Sequence, residues 1–181
     1  APPDAHASVS AMLARHGLGL DPAAPARLIV LHVSAGNPFR RWPEQAFADV
    51  AAGLVRQSPD RRVLVTAGPS DREAVRRVLA AARERAGDAA AQIIDAKDFS
   101  LADLRAVLDR SALYIGGDSG PLHIASTSDV PIVGLYGPTL AERSAPWRPP
   151  HFATASVDAG ALPCRPCDQR VCAPGDFRCL T

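Results

Sequence analysis

Apolar residues along this chain alternate between short unbroken runs and longer stretches where they recur every three or four positions. The first run, residues 28–33 (Leu-Ile-Val-Leu-His-Val), suits a buried parallel strand. A loop from Ser34 to Trp42 leads to Pro43, which fits a first helical position, and Phe47, Val50 and Leu54 then recur at helical spacing. Val63-Leu64-Val65 makes the second strand. Ser70 with Glu73 reads as a capping box ahead of a buried stripe of Val75, Val78, Leu79 and Ala82. Ile93-Ile94 is a short third strand, after which Ser100 caps a helix carrying Leu101, Leu104, Val107 and Leu108. Residues 112–115 form the fourth strand, 118–127 a helix, 132–135 the fifth strand and 152–157 a weaker sixth.

Strand and helix alternate without interruption, the pattern of a parallel sheet covered on both faces. The fold class is therefore α/β, a Rossmann-like three-layer α/β/α domain with a doubly wound sheet of six strands. Right-handed crossovers give the strand order 3-2-1-4-5-6, which makes the first and fourth strands neighbours. Ligands of such sheets bind at that switch point, outside the carboxyl ends of the strands. The loops emerging there are 34–41 and 116–120.

Composition narrows the classes. At 181 residues one domain is the default, and a net charge of +1 without a basic stripe gives no argument for nucleic acid or a membrane surface. Lys97 is the sole lysine among many arginines, a matter of genome composition rather than of function. No apolar run reaches the ~20 residues that span a bilayer, and the opening residues lack the charged start and apolar run of a signal peptide. A soluble cytoplasmic protein is the simplest expectation. All four cysteines (Cys164, Cys167, Cys172, Cys179) lie near the end, with one C-x-x-C pair and no regular second knuckle. Zinc would need their thiolates in tetrahedral reach. No metal ligands are assigned, and disulfide and metal both stay open.

The densest chemistry lies in Tyr114-Ile115-Gly116-Gly117-Asp118-Ser119-Gly120-Pro121-Leu122-His123. Gly116 and Gly117 allow a tight turn and close approach of backbone to a ligand. Asp118 or Ser119 can cap the following helix, Pro121 is tolerated in its first turn, and His123 can donate to a phosphate oxygen. A helix opening from a glycine turn offers free N–H groups to an anion. The stretch also resembles the nucleophile segment of trypsin-like proteases, but those are all-β, and Pro121 spoils a G-x-S-x-G elbow, so Ser119 is not a nucleophile. In the first loop, Arg40 or Arg41 can neutralise a diphosphate while the other stays solvated. The dinucleotide glycine fingerprint and the Walker motif are both lacking, which counts against a nicotinamide dehydrogenase and a P-loop NTPase. Gly68 lets a base or ribose approach the backbone, and Asp71 can accept from sugar hydroxyls, although a carboxylate in a first helical turn is favourable anyway.

Together these residues resemble the ADP-heptose:lipopolysaccharide heptosyltransferases, glycosyltransferase family 9, and in particular their C-terminal donor-binding domain. The likeness rests on Arg40-Arg41-Trp42-Pro43, Ala67-Gly68-Pro69, Ser100-Leu101, Gly117 to His123, Leu135-Tyr136-Gly137-Pro138-Thr139 and the late cysteines ending in Cys179-Leu180. Arg40 stands where the family usually has lysine and Asp71 where glutamate is common, so both keep the charge. The resemblance divides the chain into a linker or N-terminal extension (1–26), a nucleotide-sugar-binding domain (27–160) and a cysteine-containing tail (161–181).

What the resemblance implies is inverting, metal-independent transfer of heptose from ADP-heptose, a donor substrate rather than a cofactor, to the lipopolysaccharide inner core. Backbone N–H groups of Ser119 and Gly120, with Asp118, His123, Arg40 and the Ser34 hydroxyl, would hold the diphosphate. Arg40 would also offset the charge that develops on the leaving group. Gly68, Asp71 and Leu101 would surround ribose and adenine. Acceptor and general base belong to the family's N-terminal domain, so this chain alone is expected to bind nucleotide without transferring sugar. The expected location is cytoplasmic, at the inner face of the inner membrane, with any peripheral association made through the full-length protein. Two alternatives stay open: a donor domain for a UDP- or GDP-sugar, and a non-catalytic nucleotide-binding module built on a cysteine–zinc knot. A nicotinamide-binding domain is a third rival, disfavoured by the glycine pattern.

Overall fold

The computed structural model describes residues 1–18, 27–33, 37–96 and 99–181. Six strands, β1 (Leu28–His32), β2 (Arg62–Thr66), β3 (Ile93–Asp95), β4 (Leu113–Gly117), β5 (Ile132–Tyr136) and β6 (Thr154–Asp158), form one sheet. All neighbours run parallel in the order β3-β2-β1-β4-β5-β6, the order that right-handed crossovers predict. β1 is buried throughout and its side chains alternate between two cores. Ile29 and Leu31 pack with Val63, Val65 and the faces of α2 (Glu44–Arg56) and α3 (Arg72–Ala86). Leu28 and Val30 pack with Leu64, Tyr114 and Ile132 beneath α1 (Pro3–Arg15), α4 (Leu101–Leu108) and α5 (Gly120–Ala125). A last short helix, α6 (Ala141–Ser144), precedes the exposed edge strand β6.

Several local expectations change. Residues 3–15, assigned to an extension, are helical, and Ala5, Val9 and Leu13 bury one face at i, i+4 spacing. In α2 the closest-packed positions are Phe47, Ala48, Ala51, Ala52 and Val55, with Val50 and Leu54 only half-buried. Small alanines let that helix lie near the sheet and α3, which turns the flanking larger residues toward the rim. Pro43 stands just ahead of this helix rather than within it.

Ser70 does not cap α3: residues Pro69–Asp71 form a tight 3-10 turn, which shifts the helix start to Arg72. Ser70 Oγ donates to Asp71 Oδ2 at 3.2 Å, and Glu73 pairs with Arg76 and Arg77. The reciprocal box lies instead at Ser100, whose Oγ accepts from Asp103 N–H (3.1 Å) while Asp103 Oδ2 accepts from Ser100 N–H (3.0 Å). The helix expected over 118–127 spans only Gly120–Ala125.

Gly116 also has another reason to be glycine. It lies within β4, and a Cβ there would stand 2.5 Å from the Tyr114 hydroxyl oxygen, two residues back on the same face. Gly134 makes the same room for Tyr136 on β5. These glycines admit tyrosine rings into the core.

Candidate functional site

The switch point lies where β1 and β4 run side by side, with His32 in register with Gly116. Beyond β1, Asn37 caps a tight 3-10 turn by accepting from Phe39 N–H, and the turn delivers Arg40 over the end of β4. Asp118 stands directly after β4; its N–H donates to Leu135 O at 3.1 Å, which fixes the backbone. The Asp118 carboxylate is only 4% exposed, and its Oδ2 receives both Arg40 Nη1 (3.1 Å) and the Thr139 hydroxyl (2.7 Å). Arg40 Nε donates to Gln169 Oε1 at 2.6 Å. Its Nη2 has no partner among the described residues. A guanidinium clamped on two edges with the third free is a preorganised anion ligand, because holding it costs no further side-chain entropy when an oxyanion arrives. Burial, and after it the nearby Asp118 carboxylate, push the Tyr136 hydroxyl up to about 12, so that ring stays neutral behind the site.

Ser119, Gly120 and His123 follow at the start of α5 on the same edge of the sheet. The Ser119 hydroxyl donates to Gly117 O at 3.1 Å rather than capping the helix. His123 is exposed, which removes it from the core. With a helix of six residues the macrodipole is small, and Pro121 has no N–H while that of Leu122 donates to Ser119 O, so what this end offers an anion is chiefly the N–H groups of Ser119 and Gly120. Ser34 and Gly36 of the first loop lie outside the described residues.

At the neighbouring strand ends, a cavity of about 470 Å³ opens over β2 and β3, within the size range of small-ligand sites. Gly68 lines it, together with Val65, Ala67, Arg76, Phe99 and Ser100. Asp71 does not. It is 6% exposed, its Oδ1 lies 3.0 Å from Arg41 Nη2, and it borders a separate cavity of about 160 Å³ with Arg41, Trp42 and Phe47. Arg41 thus pairs with a buried carboxylate while its side chain stays 45% exposed to solvent. Leu101 is 70% exposed and lies outside the larger cavity, whereas its neighbours Phe99 and Ser100 face it. Phe99 and Arg76 escaped the sequence reading because neither sits in a glycine turn. Thr139 stands out in the sequence only as the end of the Tyr136-Gly137-Pro138-Thr139 motif, and no local pattern marks Gln169.

The tail reaches the site as well. Leu180 is buried against Gly137, where any Cβ would overlap its side chain. Arg165 donates to Thr139 O (2.8 Å) and pairs with Asp158 Oδ2 (3.2 Å), and the Phe177 ring lies 5.5 Å from that of Phe39. The four cysteines are free thiols of intermediate exposure. Burial first, then the proximity of Cys164, Cys167 and Cys172, push the Cys179 thiol up. Among the described residues no three His, Cys, Asp or Glu side chains are placed to hold a metal ion. None of the described helices is long and apolar enough to cross a membrane.

A doubly wound parallel sheet with helices on both faces is the three-layer fold this chain shares with solved heptosyltransferase structures. The chain belongs to glycosyltransferase family 9 (heptosyltransferase), whose model matches residues 5–174. A lipooligosaccharide heptosyltransferase 2 from Campylobacter jejuni is 27% identical over 159 residues, covering 83% of this chain and 46% of its own length. The crystal structure of a family 9 glycosyl transferase from Veillonella parvula superimposes with a TM-score of 0.69 at 28% identity, over 86% of this chain and 41% of that one. The structure of Escherichia coli ADP-heptose lps heptosyltransferase II shares the fold with a TM-score of 0.65 at 20% identity, over 87% of this chain and 44% of that one. The chain spans between 37% and 46% of the length of the first curated relatives it matches.

Proposed function

We propose that these residues form the donor half of a heptosyltransferase, which binds ADP-heptose and delivers heptose to the inner core of lipopolysaccharide with inversion at the anomeric carbon. The observation that carries this reading is the Arg40 guanidinium, held 3.1 Å from Asp118 at the switch point with one edge free, on the same strand-end side of the sheet as the cavity of about 470 Å³ over β2 and β3. The cavity takes the adenosine, with Gly68 admitting the ribose close to the backbone. Arg40, the N–H groups of Ser119 and Gly120, and His123 take the diphosphate, and Ser34 adds its hydroxyl. Family membership and the name of the E. coli relative support the choice of donor.

In the transfer, an acceptor hydroxyl attacks the anomeric carbon as its bond to the β-phosphate oxygen breaks. The electron pair leaves with ADP, and Arg40 offsets the added negative charge. The acceptor's proton goes to a base outside these 181 residues. No metal is required in this reading, and the enzyme works in the cytoplasm, at the inner face of the inner membrane.

Isothermal titration with ADP, ADP-heptose, UDP and NAD tests the proposal. ADP and ADP-heptose should bind, with an affinity that EDTA leaves unchanged. Arg40→Ala should weaken ADP by about tenfold or more, the loss of a charge-assisted contact. Tighter binding of UDP than of ADP would overturn the donor assignment, and a loss of affinity on chelation would overturn metal independence. Heptose transfer by the 181-residue chain alone would show that the base lies within it.

A further inference from the structure

The turn that carries Arg40 is touched by a part of the chain far away in sequence. Gln169 lies in the loop between Cys167 and Cys172, and its single Oε1 accepts from both Arg40 Nε (2.6 Å) and Asn37 Nδ2 (2.9 Å). One oxygen therefore ties the first residue of the turn to the last. Guanidinium orientation is set by its Nε edge, and Asp118 holds only Nη1, so without Gln169 the group could swing about that one contact.

The backbone points to the same segment. Among the described residues, the non-glycine positions in the left-handed region are Gln169 (φ 60°) and Phe177 (φ 50°). Such backbone is unfavourable for an L-residue and persists only where its surroundings impose it. Both residues contact the 37–40 turn, Gln169 through its amide and Phe177 through the ring of Phe39. The anchors that impose this conformation lie on the switch-point side: Leu180 on Gly137, Cys167 N–H on Pro138 O (3.4 Å) and Arg165 on Thr139 O. Thr139 in turn holds Asp118, the other partner of Arg40.

We infer that the cysteine-bearing tail is a clasp on the donor site and that Gln169 is a positioning residue, which fixes the Arg40 guanidinium so that its free edge meets the diphosphate. The inference rests on the reading of Arg40 as a phosphate ligand. Gln169 touches the arginine, and the arginine touches the ligand.

Gln169→Gly tests it, because glycine accepts the left-handed backbone at no cost while the amide is lost. The melting temperature should stay level or rise, and ADP affinity should fall about three- to tenfold, the scale of one lost hydrogen bond to a charged group. In an Arg40→Ala background the same substitution should cause no further loss, since its effect passes through the arginine. In the ligand-free chain, the Arg40 Nε–H resonance should exchange with solvent slowly, and faster in Gln169→Gly. Unchanged affinity and exchange in Gln169→Gly, beside a weakened Arg40→Ala, would overturn the positioning role alone. Equal losses in both backgrounds would make Gln169 an independent contact and overturn it too. If the chain fails to bind ADP, or Arg40→Ala binds it as tightly as wild type, the donor-site reading falls and the inference with it.

Discussion

The sheet body and the tail hold their shapes by different means. From β1 to β5 the chain repeats one device: alternating side chains enter two apolar cores, and each helix contributes a stripe. The tail from Ala161 to Thr181 has a single buried apolar anchor, Leu180 at 9% exposure. Apart from the Phe177 ring on Phe39, its other ties are polar and reach back to the switch point: Arg165 to Thr139, Gln169 to Arg40, Cys167 N–H to Pro138. A body built on area resists the loss of any one surface contact, whereas a tail built on a few directed contacts can be released by one change. The difference places rigidity in the sheet and leaves Arg40, the proposed diphosphate ligand, dependent on the looser part.

The body should break hardest. Leu64, fully buried on β2 between α1 and α4, is its clearest test. Leu64→Ala should cost about 2–5 kcal/mol in denaturant unfolding, the transfer loss plus the cavity left behind. A cost below about 1 kcal/mol would mean that the core repacks around the gap.

Next in size comes a pH effect at the end of β1. Burial lowers His32 from 6.5 to about 4, and its Nδ1 sits 2.9 Å from Thr66 Oγ1. Between those pH values the unfolded chain binds a proton at this residue that the folded chain refuses. Stability is therefore undiminished above pH 6.5 and declines as pH falls toward 4, by at most about 3 kcal/mol from this group. Urea midpoints at pH 7 and pH 4.5 should differ more for wild type than for His32→Gln. Parallel declines in the two proteins would show that other groups, not His32, carry the acid sensitivity.

The same contrast explains what could be read from the sequence. Strand order, the two-faced sheet and the stripe of α3 follow from periodicity, because burial in the body is periodic. Helix α1 escaped because two of its three turns present alanine or valine rather than large residues, so the stripe of Ala5, Val9 and Leu13 barely rises above its background. Ser70 and Ser100 look alike as caps, and only the 3-10 turn before α3, imposed by Pro69, separates them. At the site, the meeting of Arg40 with Asp118 follows from topology, which brings the ends of β1 and β4 together. That Arg41 answers Asp71, and that Gln169 answers Arg40 across 129 positions, depends on side-chain directions in irregular segments, where no period exists to read.

The smallest effect on stability should come from the contact that joins the two regions, and it is the most discriminating. Gly137 belongs to the body, directly after β5, and a methyl group there must displace Leu180 of the tail. The body packs on two apolar cores and has no freedom to yield, whereas the tail is held by a few contacts, so the tail gives way. Gly137→Ala should therefore lower global stability by less than about 1 kcal/mol, because strain that a mobile element can shed does not reach the core. Trypsin should cut after Arg170 and Arg178 faster than in wild type, since release of the tail opens it without unfolding the sheet. ADP affinity should drop to the level of Gln169→Gly, because freeing the clasp removes Gln169 from Arg40. A large loss of global stability with unchanged ADP binding would reverse the picture, making the tail a structural part of the body and no part of the site.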